Sequence, residues 1–93
     1  MKTLKKVTLD YKPLNDEVLR VTLKVERNVP YISSEWPSRL ILWLSRRYHV
    51  TSAIFALEGD NAFSLNVLIL CETDFFRYWS HNSLLDYVGR IVK

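Results

Sequence analysis

The stretch 50-VTSAIFALEGDNAFSLNVLILCE-72 decides the fold, because two apolar runs on either side of the turn residues GDN predict a β-hairpin. Pairing Leu57 with Phe63 puts nearly every large side chain on one face. The remaining pairs in this register are Phe55 with Leu65, Ala53 with Val67, Thr51 with Ile69, and His49 with Cys71. A slip of one residue would turn a strand's whole apolar set to the opposite face, so we predict this register.

The second face of this hairpin is also apolar. In the predicted register it carries the aliphatic residues Val50, Ile54, Ala56, Leu68 and Leu70. The polar residues on the same face are Ser52, Ser64 and Asn66. A contiguous exposed apolar patch usually marks an interface. The sequence therefore predicts that this face contacts a second copy of the chain or another protein, with a folded-back segment of the same chain as the alternative.

A first hairpin is predicted upstream of this stretch. The segments KKVTLDYK (5–12) and VLRVTLKVER (18–27) alternate apolar and polar residues with the period of half-buried strands, and KPLNDE (12–17) supplies turn residues. We predict that Tyr11 faces Leu19. The outward pairs are then Asp10 with Arg20 and Lys6 with Lys24. This charged outer face is typical of a sheet that faces water.

A helix is predicted after each hairpin. The first covers residues 35–48, with Ser33 or Ser34 as N-cap and one side formed by Trp36, Leu40, Trp43, Leu44 and Arg47. The second is capped by Thr73, begins DFFRYW (74–79), and is interrupted at SHNS (80–83), where Asn82 or Ser83 recaps it. The order ββαββα predicts a single α+β domain over residues 1–93, a four-stranded antiparallel sheet with both helices on one face.

The composition limits the class of protein. With 48% hydrophobic and 25% charged residues, the 93-residue chain has an ordinary globular mix. A net charge of +3 permits a nucleic-acid partner without requiring one. No run approaches the roughly 18 apolar residues of a membrane span, and no signal segment is recognisable, so no membrane association is expected. The single cysteine cannot form an internal disulfide, which favours a cytoplasmic protein.

Catalytic motifs are absent from the sequence. The predicted register places His49 beside Cys71, just before a helix N-terminus, where a thiol pKa can be lowered. No third orienting group completes this Cys/His pair, so a small core residue is the favoured interpretation of Cys71. A metal site from His49, Cys71 and Glu72 or Asp74 lacks the paired spacings of structural zinc. We predict no catalytic residue, no metal and no cofactor.

Two surface features remain. Basic residues gather near the end of the first predicted helix: Arg39, Arg46, Arg47 and His49. They predict either phosphate contacts or, as the favoured interpretation, a solvated helix end.

Tyr31, Tyr78 and Trp79 are aromatic residues that are not assigned to the predicted core, and one of them could anchor a partner. The sequence thus predicts a small non-enzymatic binding or regulatory protein, most simply a homodimer through the outer sheet face. Nucleic-acid binding is the alternative, and a Cys/His-dependent enzyme is the third hypothesis.

Overall fold

A computed structural model describes residues 4–28 and 35–91. Its elements, in chain order, are β1 (Leu4–Pro13), β2 (Val18–Arg27), α1 (Glu35–Ser45), β3 (Val50–Leu57), β4 (Ala62–Leu70), α2 (Thr73–Trp79) and α3 (His81–Ile91). The four strands form one antiparallel sheet in the order β1-β2-β4-β3. The predicted α+β class with a four-stranded antiparallel sheet is confirmed. The described helices number three rather than two, because the second helical region is divided.

The helices and one face of the sheet share a single hydrophobic core. Its buried strand residues are Leu19, Val21, Leu23, Val25, Phe63, Leu65, Val67 and Ile69. Its buried helix residues are Leu40, Trp43, Leu44, Phe76, Leu84 and Val88. These buried hydrophobic residues alternate along the two central strands, β2 and β4, as the period of two requires, and Ser64 is the one buried strand residue among those described that faces the other way. The central strands therefore form the floor of the core, and the edge strands β1 and β3 are only partly covered.

The register predicted for the second hairpin is confirmed over most of its length. Leu57 faces Phe63, and the next two inner pairs are Phe55 with Leu65 and Ala53 with Val67. Gly59 lies in the turn with a φ of 78°, a left-handed conformation that glycine adopts without strain. The turn residues GDN therefore specify the register as predicted.

This register is interrupted at the start of β3. A β-bulge between Val50 and Ser52 leaves Thr51 as an extra residue, so Val50 rather than Thr51 faces Ile69. Val50 is half-buried and packs against the core. The prediction that Val50 points outward is therefore wrong.

The bulge also removes the predicted pairing of His49 with Cys71. The backbone carbonyl of His49 instead accepts a hydrogen bond from the N–H of Leu70, at 3.0 Å. Strand β4 ends at Leu70, one residue before Cys71. The prediction that the imidazole and the thiol face each other in the sheet is therefore wrong.

The first hairpin is slipped by two residues from the predicted register. Tyr11 faces Val21 rather than Leu19, and the outward residue Asp10 faces Thr22 rather than Arg20. The predicted Lys6–Lys24 pair is likewise wrong, because Lys6 faces Glu26. An even slip leaves every side chain on its predicted face, so the division into a wet face and a buried face is unaffected.

The turn of this hairpin explains the slip. The Oδ1 atom of Asn15 accepts hydrogen bonds from the backbone N–H groups of Glu17 and Val18, at 2.8 and 2.9 Å. The N–H of Leu14 donates to the carbonyl of Val18 at 2.9 Å. This asparagine-centred turn pairs Leu14 with Val18, so the centre of the hairpin lies at residue 16 rather than at residue 15, where the predicted pairing of Tyr11 with Leu19 places it.

The helix boundaries differ from the predicted ones at several points. Helix α1 ends at Ser45 rather than at residue 48, and Thr73 is the first residue of α2 rather than its cap, which is Glu72. The predicted caps Ser33 and Ser34, the residue Tyr31 and the side chain of Trp36 lie outside the described part of the chain. No described helix combines the length and the apolar character needed to cross a membrane.

The predicted interruption at SHNS is confirmed at Ser80, between α2 and α3. Recapping by Asn82 or Ser83 is wrong, because the N–H of Leu84 donates to the carbonyl of Ser80 at 2.8 Å and α3 already begins at His81. Ser80 is buried, and its hydroxyl is hydrogen-bonded to the hydroxyl of Tyr48. This hydrogen bond links the junction between α2 and α3 to the segment that follows α1.

Candidate protein interaction surface

The two edges of the sheet have opposite chemistry. Strand β1 carries Lys6, Asp10 and Lys12 and ends in Pro13. Strand β3, VTSAIFAL, contains no charged residue and no proline. Charges and proline on an edge strand are common devices that prevent pairing with another chain. The β1 edge therefore carries both of these protective features, whereas strand β3 itself carries neither.

Strand β3 is exposed on both faces. On the outer face, away from the helices, Ile54 is 63% exposed and Ala56 is exposed as well. On the inner face Leu57 is 60% exposed, Ala53 is exposed and Phe55 is half-buried. Residues 53–57 therefore form a largely exposed apolar rim, which we call the β3 surface.

The outer face of β4 continues the β3 surface towards the centre of the sheet. Leu70 is exposed and faces Val18 of β2. Leu68 is half-buried and lies between Arg20 on one side and Ser52 on the other. Of the five residues predicted at an interface, four therefore share the outer face: Ile54, Ala56, Leu68 and Leu70. Val50 lies on the opposite face, and the interface role of the four stays a prediction.

A row of side chains across the outer face shows how its polarity changes. Asp10, Thr22, Asn66 and Ile54 occupy successive strands from β1 to β3. The hydroxyl of Thr22 donates to Oδ1 of Asn66 at 2.7 Å. The row thus runs from a charge through a hydrogen-bonded polar pair to an exposed isoleucine. The β1 side of this face is therefore compatible with water, whereas the β3 side favours contact with another apolar surface.

The predicted basic stripe begins within α1, at Arg39, and continues just beyond the end of the helix. Arg39, Arg46 and His49 are exposed. The guanidinium of Arg47 lies 3.7 Å from the ring centroid of Trp43, and its Nη1 atom donates to the carbonyl of Trp43 at 3.1 Å. This cation–π contact and the hydrogen bond to a C-terminal carbonyl give Arg47 a local structural role. The nucleic-acid role of the stripe stays a prediction.

The environment of Cys71 opposes nucleophilic chemistry. Its thiol is half-buried and donates to the carbonyl of Glu72, with 3.2 Å between sulfur and oxygen. Burial raises the pKa of the Cys71 thiol, and the negative charge of Glu72 acts in the same direction. Reactive cysteines require the opposite shift, because the thiolate is the nucleophile. In residues 4–28 and 35–91, no group of three or more His, Cys, Asp or Glu side chains is placed to hold a metal ion.

We expect iodoacetamide to alkylate Cys71 more slowly in the native protein than in the unfolded chain at neutral pH. The raised pKa keeps the native thiol protonated to a higher pH, so the native rate should rise with pH above the range in which an ordinary thiol ionises. Mass spectrometry of time points, with the urea-unfolded chain as control, measures both rates. A native rate faster than the unfolded rate would restore the cysteine-enzyme hypothesis.

Helix α2 exposes an aromatic cluster that sequence reasoning identified only in part. Tyr78 is 80% exposed, and Phe75 and Trp79 are also exposed. The rings of Tyr78 and Trp79 meet edge to face at 4.9 Å, and Phe75 lies 6.2 Å from Trp79. The sequence left Tyr78 and Trp79 without an assigned place and offered either as a partner anchor, whereas it did not single out Phe75. The signal that sequence reasoning missed is the length of α2. A helix of seven residues makes only about two turns, so few of its side chains point towards the core.

A polar cluster joins β1 to the junction between α2 and α3. The Tyr11 hydroxyl is hydrogen-bonded to Nδ1 of His81, and the guanidinium of Arg77 lies 5.4 Å from the Tyr11 ring centroid. Burial raises the pKa of Tyr11 to about 12. The hydroxyl therefore stays protonated at neutral pH and serves as a structural hydrogen-bonding group. The pocket beside it is shallow and is lined by these residues with Asp10 and Asn82.

No family model matches this sequence, and no curated protein or solved structure matches it either. The function therefore has to be inferred from the chain's own surfaces. Of these, the β3 surface combines exposed aliphatic side chains with a strand edge that carries no charge.

Proposed function

We propose that this chain is a small non-enzymatic binding protein that acts through protein–protein contacts, with a second copy of itself as the simplest partner. The contact surface is the β3 surface together with Leu68 and Leu70. The observation that carries the proposal is an uncharged edge strand that is exposed on both of its faces. The proposal places the protein in the cytoplasm, since one cysteine cannot form an internal disulfide.

Energetics and charge both support a contact through this surface. Burying an exposed aliphatic side chain such as Ile54 or Leu57 contributes about 1.5–3 kcal/mol before the cost of association. Each copy carries a net charge of +3, so two copies repel each other at long range. An uncharged rim is where two such molecules can approach without placing like charges together.

Ile54→Lys should weaken self-association by at least about 100-fold, because an isoleucine burial of about 1.5–3 kcal/mol is lost twice in a symmetric dimer. Asp10→Lys is the matched control. Asp10 is exposed and lies in the same row of the sheet on the opposite edge, and its substitution changes the charge by one unit more. Multi-angle light scattering over a concentration series, with circular dichroism to verify the fold, measures both variants. The Asp10 variant should associate like the wild type.

A wild type that remains monomeric at millimolar concentration would contradict self-association. If that monomer bound RNA at physiological salt, and the salt dependence fell by about two phosphate contacts in Arg39→Gln/Arg46→Gln, the basic stripe would be the functional surface instead. Equal weakening by Ile54→Lys and Asp10→Lys would show that overall charge, rather than the β3 surface, controls association.

A further inference from the structure

We propose that the shallow pocket between β1 and the junction of α2 with α3 binds a carboxylate group, with Arg77 as the main contact. We call this pocket the Arg77 groove, and its lining residues are Leu9, Asp10, Tyr11, Arg77, His81 and Asn82. The β3 surface is formed by other residues, so this site goes beyond the proposed function and either can fail without the other. A phosphate group is the competing occupant.

The guanidinium of Arg77 lies beside an aromatic ring and is not engaged by a carboxylate of its own chain. It is 5.4 Å from the ring centroid of Tyr11, a cation–π contact that favours its position in the groove. Among residues 4–28 and 35–91, Arg77 forms no ion pair, although Asp10 lines the same groove. Its planar fork of N–H donors is therefore available to a ligand, and this fork matches the two oxygen atoms of a carboxylate.

The pair formed by Tyr11 and His81 supplies a second donor. The hydroxyl of Tyr11 is hydrogen-bonded to Nδ1 of His81, and in the described part of the chain neither side chain has a further hydrogen-bond partner. Burial raises the pKa of Tyr11 to about 12, so the hydroxyl keeps its proton at neutral pH. A neutral imidazole carries one N–H, and the bond between the two groups uses either this proton or that of the hydroxyl. In both cases one N–H or O–H group is left to donate to another acceptor.

Donors from three positions meet in the Arg77 groove. The side-chain amide of Asn82 lies at the start of α3 and is exposed. It adds to the Arg77 guanidinium and to the remaining donor of the Tyr11–His81 pair. A ligand group that accepts hydrogen bonds through two or more oxygen atoms matches this set, and a carboxylate and a phosphate both do so.

The charge of the lining favours a carboxylate over a phosphate. Arg77 is the one Lys or Arg side chain in the lining, and it can neutralise a single negative charge. A phosphate carries about 1.5 to 2 negative charges at neutral pH. Its second charge would have no cationic partner in the groove and would be repelled by Asp10, which is exposed there.

Apolar atoms beside the donors narrow the ligand class further. Leu9 and Tyr11 lie on the inner face of β1, are half-buried and pack against the core. An acid with an apolar group next to its carboxylate can contact these side chains while its oxygen atoms reach Arg77. The ligand class is therefore a monocarboxylate with an adjoining apolar group, from either of two sources: a small free acid or the C-terminus of a polypeptide.

An NMR titration with benzoate tests the site. Sodium benzoate, added to the ¹⁵N-labelled protein in Tris-chloride at constant ionic strength, should shift amide signals with a Kd of about 1–10 mM. The shifted amides should be those of Tyr11, Arg77, His81 and Asn82. Benzamide has nearly the same shape without the charge, so it should give no saturable shift. Inorganic phosphate at the same ionic strength should bind more weakly than benzoate.

Arg77→Gln should weaken benzoate binding by about tenfold or more, because a charge-assisted pair is lost. Arg90→Gln is the matched control. Arg90 is exposed on α3 and lies 6.0 Å from the ring centroid of Tyr87, so its substitution removes the same charge and a similar cation–π contact outside the groove. This variant should bind benzoate within about twofold of the wild type. Circular dichroism verifies both folds, and if Arg77→Gln does not fold, the location of the wild-type shifts still decides.

Shifts that do not saturate by about 100 mM benzoate, shifts outside the groove, or equal binding of benzamide would overturn the site. Equal weakening by the two arginine variants would overturn it as well, because binding would then follow net charge alone. Tighter binding of phosphate would overturn the assignment to a carboxylate.

Acetylglycylphenylalanine and its C-terminal amide separate the two sources of the carboxylate. Tighter binding of this free acid than of benzoate would identify a polypeptide C-terminus, and weaker binding would identify a small free acid. An amide that binds as tightly as the free acid would contradict carboxylate recognition. Arg77→Gln should self-associate like the wild type, so a failure of this site leaves the proposed function standing.

Discussion

Phe76→Ala should lower the free energy of unfolding by about 3–5 kcal/mol, a large part of the roughly 5–15 kcal/mol that stabilises a native domain. Phe76 is 0% exposed and is the buried residue of α2. Its ring centroid lies 5.4 Å from those of both Tyr11 and Tyr48. Removing it leaves a cavity between β1, α2 and the loop after α1. Urea unfolding followed by far-UV circular dichroism measures the loss.

Phe75→Ala is the matched control for this prediction. The two phenylalanines are adjacent in the same helix, so the change in helix propensity is identical and only the burial differs. Phe75 is 52% exposed, and its truncation should change the free energy of unfolding by less than about 1 kcal/mol. Similar losses in both variants would show that α2 packs through a different face from the one in the structure.

The parts of the fold that local pattern determines were predicted correctly. The inner pairs of the second hairpin follow from one glycine-containing turn and from the requirement that large residues share a face. The division of the second helical region follows from an apolar stripe that changes phase at SHNS. Both signals lie within a few residues of the feature they specify, so a single sequence is enough to reveal them.

The features that sequence reasoning missed depend on local hydrogen bonding, which does not change the alternation of apolar and polar residues along a strand. The slip of the first hairpin is set by the Asn15 side chain, which caps two backbone N–H groups inside the turn. The bulge at Thr51 is one residue long and reverses the face of Val50. Neither changes the composition of its strand. A pattern of alternating residues therefore identifies the strand correctly and still misplaces the residues at its end.

The candidate interaction surface was predicted on the outer face of the second hairpin. The structure adds that one strand of this hairpin, β3, lies at the edge of the sheet. Sequence alone does not reveal the strand order, which places β4 beside β2 and leaves β3 outermost. This order places Arg20 of β2 against Leu68, and within the sheet it leaves the most exposed large apolar residues, Ile54 and Leu57, on β3. The apolar outer set of the second hairpin was therefore recognised, whereas its inner counterpart at Ala53 and Leu57 was taken for core.

Phe63→Ala should also lower the free energy of unfolding by about 3–5 kcal/mol, and it should in addition weaken self-association. Phe63 is 0% exposed on central strand β4, where it faces Val25 on one side and Leu57 on the other. Its ring centroid lies 5.5 Å from that of Phe55. Truncation removes the ring that packs against Phe55, the central residue of the β3 surface. Urea unfolding and sedimentation velocity, both at fixed protein concentration, measure the two effects.

Leu57→Ala separates these two effects, because Leu57 is the strand partner of Phe63 and is itself 60% exposed. Its truncation should change the unfolding of the monomer by less than about 1 kcal/mol. It should still weaken association, by about tenfold or more, since an exposed leucine that becomes buried in the dimer is lost from both copies. A variant that destabilises the monomer as strongly as Phe63→Ala would place Leu57 in the core. Unchanged association would instead remove the inner half of the β3 surface from the contact, and the partner would then lie on the outer face alone.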